Sequence, residues 1–162
     1  MNGAISSLIK EGEIKGKKGE LTLIHTLGTV TPSRVLVVGL GKREEFDLDA
    51  VRYVVGAACR HLRQRGVERV ATIAHGAGIG GLDVEGVGEA IAEGAMQGLY
   101  RFDKYLSNKE DTKEIQELQI VEADQAKLSA LNKGIEKGVI LAEAINLCRD
   151  MCNEPANYMT PA

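Results

Sequence analysis

The stretch Arg34–Leu40, RVLVVGL, is almost continuously apolar after its first residue. A short run of this kind suits a strand covered on both faces better than an amphipathic helix. The period changes soon afterwards. Across Asp47–Arg65 the apolar residues Val51, Val54, Val55, Ala58 and Leu62 recur at helical spacing. Asp47 or Asp49 is placed to cap the start of that helix, and Gly66 to end it. A second apolar run, Arg69–His75, then reads as another interior strand. Strand, helix and strand in succession confine the chain to an α/β architecture built through helical crossovers.

The same logic extends to both ends. Ala4–Ile9 is apolar on one side and suits a short helix, and Gly12–Gly19 reads as a basic, glycine-punctuated loop. Glu20–Thr26 alternates as a strand does. Asp83 can cap a helix over Val84–Phe102, within which Gly94 and Gly98 sit beside the apolar line and predict close approach to the sheet. Asp103–Lys113 is a charged loop, and Glu117–Val121 a short strand near a sheet edge. A long helix is predicted from about Asp124 to Asn153, with a stripe of Leu128, Leu131, Ile135, Val139, Ala142, Ile145 and Met151. Its first half is expected to pack on the sheet and its second half, from Ile145 through Cys148 to Met151, to project as a lever. The expected fold is a three-layer α/β sandwich with a mixed, mostly parallel sheet. Residues 1–123 are read as one domain, 124–153 as a connecting helix, and 154–162 as the start of a linker to an absent further domain.

Composition narrows the function classes. The chain has no Trp and only 4% aromatic residues, so its core must be aliphatic. With 20 basic and 23 acidic side chains it carries a net charge of −3, which argues against general binding to nucleic acid or to an anionic membrane. Three cysteines, Cys59, Cys148 and Cys152, do not make a disulfide framework and read as buried thiols in a reducing compartment. No apolar run approaches the length of a membrane span, and the first residues do not form a secretory signal. A cytoplasmic location is the expectation.

Several motifs invite a catalytic or binding reading and fall short of it. Gly76, Gly78 and Gly81 satisfy G-x-G-x-x-G between a strand and a helix, but the acidic residue that would meet a ribose is missing from its place. Gly39-Leu40-Gly41-Lys42 is half of a phosphate loop, with Arg43 where Ser or Thr belongs. Cys148 and Cys152 lie four apart on one helical face, without the partners that a zinc site needs. Cys59 falls beside an apolar stripe and reads as structural. His25 can close a strand edge, and His61, among Arg60, Arg63 and Arg65, reads as a residue of a solvated face. His75 ends a strand next to the glycine loop, where α/β proteins place active groups. Its nearest partner, Asp83, is already explained as a cap. Glu11, Glu13, Glu20, Glu110 and Asp111 read as solvated charge. The residues therefore assign no catalytic, cofactor-binding or metal-binding position.

Three stretches read together carry a resemblance: GELTLIHTLGTVTPSRVLVVGLGKR at Gly19–Arg43, EGAMQGLYRFDKY at Glu93–Tyr105 and AINLCRDMCNEPANYMTPA at Ala144–Ala162. Their order and separation resemble the leucyl aminopeptidase family, peptidase family M17, also called cytosol aminopeptidase. The resemblance implies the N-terminal, non-catalytic domain of a two-domain protein, with a macrodomain-like fold and lacking the family's first strand. It further implies a catalytic domain beyond these residues that holds two divalent metals (Mn, Zn or Mg), and assembly as a homo-hexamer. No metal or other cofactor is expected in this chain itself. The family's NTDAEGR motif is absent here, so no family site residue carries over onto a position of this sequence. The alternative is a free-standing macrodomain-like module that binds ADP-ribose or a related nucleotide through residues 39–43 and 76–81.

Overall fold

A computed structural model describes residues 3–77, 80–107 and 113–159. The elements run α1 (Ala4–Lys10), β1 (Leu21–His25), β2 (Arg34–Val38), a 3-10 turn at Arg43–Glu45, α2 (Leu48–Arg63), β3 (Arg69–Ile73), α3 (Val84–Leu99), β4 (Glu117–Val121) and α4 (Gln125–Asn153). Two helices start at the predicted caps, Asp47 and Asp83, and the structure adds a third cap at Asp124. The Asp47 carboxylate accepts from the Ala50 amide, that of Asp83 from Gly86, and that of Asp124 from Ala126.

Among the described residues the strands form two two-stranded ladders. β1 and β2 pair antiparallel, with Leu21 opposite Val38. β3 and β4 pair parallel, with Ile73 opposite Val121. The expected interior character of 69–75 is not met. Arg69, Ala71 and Ile73 are exposed while Val70 and Thr72 face inward, so the strand is covered on one side. Ile73 is 63% exposed and its partner Val121 55%. A period of two decides this: every other side chain of a strand points the same way.

The core lies over the inner face of β3–β4 and runs between the helices. Val51, Val54, Val87, Ile91 and Leu131 are its large, fully enclosed side chains. α3 lies between α2 and α4, and glycines set both distances. A Cβ on Gly94 would sit 2.5 Å from the Arg52 carbonyl oxygen, and one on Gly98 2.6 Å from the Gly56 Cα. On the other side, a Cβ on Gly88 would lie 2.5 Å from the Leu131 carbonyl oxygen, and one on Gly134 would collide with that of Glu85. Gly94 and Gly98 therefore bring α3 against α2, not against the sheet. Ion pairs rim these seams: Glu93, itself buried, with Arg52, and Lys133 with Glu85 at 2.9 Å.

The stripe on α4 is asymmetric. Its buried residues are Leu131, Gly134, Gly138 and Ala142. Leu128, expected inside, is 37% exposed because the helix has only begun to meet the sheet there. Ile145 and Met151 are exposed. Cys148 and Cys152 are exposed too, and this corrects the reading of them as core thiols: that face of α4 has left the core. Cys59 is buried, and desolvation pushes its thiol up to about 11.

Leu131→Ala is expected to cost about 2–5 kcal/mol, whereas Ile145→Ala should change stability by no more than about 0.5 kcal/mol. Gly134→Ala should destabilise by about 1–3 kcal/mol through overpacking, despite the better helix propensity of alanine. Urea denaturation of the three variants measures all of these.

Candidate docking site

The glycine turns are the segments whose sequence most suggests a ligand. Gly41, at a φ of +82°, donates its amide to the Gly16 carbonyl at 3.0 Å, and the Gly39 amide donates to Glu20 at 2.8 Å. The chain's own Gly16–Glu20 segment thus occupies the place a phosphate would take. Gly76, at a φ of +88°, is covered by Phe46 and Leu82, whose side chains would lie 2.7 and 2.8 Å from an added Cβ. Gly78 lies outside the described residues, as do Glu110 and Asp111. These contacts explain the glycines by packing, and nothing supports the nucleotide-binding alternative.

The histidines do not converge. His25 is exposed at the end of β1, opposite Arg34. His61 is partly buried, with an Nε2 that has no hydrogen-bond partner. Burial and then the charge of Arg65 lower its pKa, so the expectation of a solvated residue is only half met. The Nε2 of His75 lies 2.9 Å from the Thr72 hydroxyl, and burial lowers its pKa. Asp83 is engaged at the α3 cap, and no hydrogen bond joins it to His75 among the described residues. Glu20 is a turn residue whose carboxylate accepts from the amides of Lys15 and Lys17. Among the described residues no group of three or more His, Cys, Asp and Glu side chains could hold a metal ion. The residues present do not fit the two-metal centre that the resemblance implies, and no catalytic step can be derived from them.

What the fold does assemble is a clasp between the segment after α3 and the end of α4. The Tyr100 hydroxyl donates to Asp150 Oδ1 at 2.8 Å and accepts from Asn153 Nδ2 at 3.1 Å. The Arg149 guanidinium lies 3.8 Å above the centre of the Tyr100 ring. One turn further on, Glu154 accepts from Lys104 Nζ at 2.5 Å with one oxygen and from the Tyr105 hydroxyl with the other. The Tyr105 ring packs against Phe102 and Tyr158, each with centroids 5.9 Å apart. Hydrogen bonds from Lys104 and Tyr105 hold the Glu154 carboxyl below its ordinary value of 4.5. The same bonds, made to a carboxylate, raise the pKa values of Lys104 and Tyr105.

The clasp joins two of the three stretches that carried the resemblance, GLYRFDKY and NEPANY. Sequence spacing could not show that they touch, since Tyr100 and Asp150 are 50 residues apart. The third stretch forms the β1–β2 ladder. The family description "Cytosol aminopeptidase family, N-terminal domain" matches residues 1–109. The chain belongs to the cytosol aminopeptidase family. Its part in that family is the N-terminal domain.

The protein named "Probable cytosol aminopeptidase" in Alkaliphilus metalliredigens is 37% identical over 163 residues, covering 99% of this chain and 32% of that protein. The protein of the same name in Aquifex aeolicus is 40% identical over 149 residues, covering 91% of the chain and 28% of its own length. This cytosol aminopeptidase domain thus spans about a third of the curated relatives it matches. Among solved structures, the bottromycin maturation enzyme BotP in complex with Mn aligns over 98% of the chain and 30% of its own, with a TM-score of 0.77 and 26% identity. A mutant of tomato leucine aminopeptidase has a similar fold, with a TM-score of 0.78 over 99% of the chain and 30% of its own, at 22% identity.

The clasp should be sensitive to acid. Because the folded-state pKa of Glu154 is depressed, its contribution is complete above the ordinary value of 4.5 and is lost as the pH falls through the lower folded value. Tyr105 ring resonances followed by NMR should titrate with a midpoint below 4.5, and Glu154→Gln should abolish that titration.

Proposed function

We propose that this chain is the non-catalytic, N-terminal part of a metal-dependent leucyl aminopeptidase that releases N-terminal amino acids from peptides. In this reading residues 1–123 are the domain, 124–153 the connecting helix, and 154–162 the start of the link to the catalytic domain. That further domain would hold two divalent metals, Mn, Zn or Mg, supplying a polarised carbonyl and an activated water. The present chain contributes no catalytic, metal or cofactor residue. Its task is to position that domain, to shape substrate access and to support a cytoplasmic homo-hexamer.

The observation that carries this reading is the end of α4. The clasp fixes the direction in which the chain leaves, while Ile140, Leu147 and Met151, at 66%, 59% and 42% exposure, form an uncovered apolar stripe beside it. A helix that is apolar on one face seeks a partner for that face. The partner proposed for that face is protein, the catalytic domain of the same chain. We further infer that the two ladders belong to one mixed, mostly parallel, macrodomain-like sheet. A third layer would then cover the exposed Ile73–Val121 face.

Assays with a leucyl amide test this reading. The whole protein is expected to release leucine with added manganese and to stop when a chelator is present. The 162-residue chain, purified free of host peptidases, is expected to release none. Metal-dependent release by the chain alone would overturn the proposal.

A further inference from the structure

Beside the clasp, the α2–α3 crossing opens into a groove of about 370 Å³. Its floor is backbone, because Gly56 and Gly98 meet there without side chains. Arg60 of α2 and Arg149 of α4 stand on its walls with Gln97, and Tyr53 lies at its rim. The Arg60 guanidinium folds back over the floor, with Nη1 3.5 Å from the place of a Gly56 Cβ.

The cations of this groove are not equivalent. Arg52, which also lines it, is committed to Glu93 and to Asp49 at 2.9 Å. Burial works against its charge, and its carboxylate partners more than offset that, so its pKa is raised. Arg60 has no hydrogen-bond or ion-pair partner among the described residues. Arg149 stacks on Tyr100 and spends one long hydrogen bond, 3.3 Å, on the Gln97 carbonyl. A guanidinium offers five N–H donors in a plane, so most of those on Arg60 and Arg149 remain available. Arg60 and Arg149 therefore share one concavity whose lining carboxylate, Asp49, is paired with Arg52, in a chain whose net charge is −3.

We propose that this groove binds a small organic oxyanion, bearing phosphate or carboxylate, between Arg60 and Arg149. Planar N–H pairs match the paired oxygens of either group. The volume lies in the range of small-molecule sites and exceeds what a lone ion needs. Tyr53, 54% exposed, offers a ring for the organic body, and Lys18 Nζ sits 5.8 Å from the centre of that ring. The inference is independent of the aminopeptidase reading: it shares Arg149 with the clasp but uses neither the hydrogen bonds of Glu154 nor the exposed stripe of α4.

Calorimetric titration of the intact protein with inorganic phosphate, citrate and adenosine monophosphate tests it, alongside Arg60→Gln, Arg149→Gln and the control Arg69→Gln. Arg69 is paired with Glu117 on the sheet, away from the groove. The expected result is saturable binding of citrate or adenosine monophosphate at about 1 mM or tighter. Each groove substitution should weaken it about tenfold, the control should leave it unchanged, and added salt should weaken it. A preference for citrate identifies a carboxylate ligand, and a preference for the nucleotide a phosphate one. Absence of saturable binding, binding of inorganic phosphate alone, or equal weakening by all three substitutions would overturn the proposal. Should Arg149→Gln disturb Tyr100 and the fold, Arg60→Gln decides alone, because Arg60 is exposed and unpaired among the described residues.

Discussion

The closeness of α3 to both its neighbours governs the rest of this domain. α3 carries Gly86, Gly88, Gly94 and Gly98 in a single helix of 16 residues. Each glycine costs a helix interior about 1 kcal/mol relative to alanine, so the segment has little reason to be helical alone. It becomes helical because the carbonyls of Arg52 and Leu131 come within 2.5 Å of where the Cβ atoms of Gly94 and Gly88 would be. Backbone packed on backbone at two seams leaves no room for sliding. The buried ends of Val87 and Ile91 then fit one arrangement of α2 and α4 and no other.

Local chemistry was legible in the sequence, and neighbours were not. Asp47 and Asp83 could be read as caps because an N-cap carboxylate serves amides three residues away. The strands and helices followed from their periods. Gly94 and Gly98 announced that something approaches closely, but a missing side chain does not say whether a sheet or a helix fills the space. The i, i+4 spacing of Cys148 and Cys152 likewise identified a common face without telling whether anything covers it. The clasp was invisible for a related reason: Tyr100, Lys104 and Glu154 are polar, obey no period, and meet across about 50 residues of chain.

The glycine turns teach the same distinction between spacing and filling. Gly39 and Gly41 have the look of a phosphate loop, yet the amides that would bind phosphate already donate to Glu20 and Gly16. A positive φ and an absent Cβ serve a close chain crossing as well as an anion. Only the identity of the acceptor separates the two uses, and here it is the chain's own carbonyls. The groove beside Gly56 and Gly98 is the reverse case, since no sequence motif marks it. Arg60 and Arg149 come from helices far apart in the chain, and the tight glycine crossing makes the shallow floor on which both stand.

The two ends of α4 are held by different forces, and that difference suits it to transmit position. Its first half is fixed by apolar burial at Leu131 and Ala142 and by glycine contacts at Gly134 and Gly138. Its last turn is fixed by the hydrogen bonds of Asp150, Asn153 and Glu154. At 29 residues it is about 43 Å long, well beyond the span of a five-residue strand. Anchoring the far end by apolar packing would have consumed the stripe of Ile140, Leu147 and Met151. A polar clasp holds the same end while leaving that stripe open to a partner. In the proposed reading the geometry at the end of α4 is set before the partner docks, so docking there need not also supply the entropy of ordering the helix.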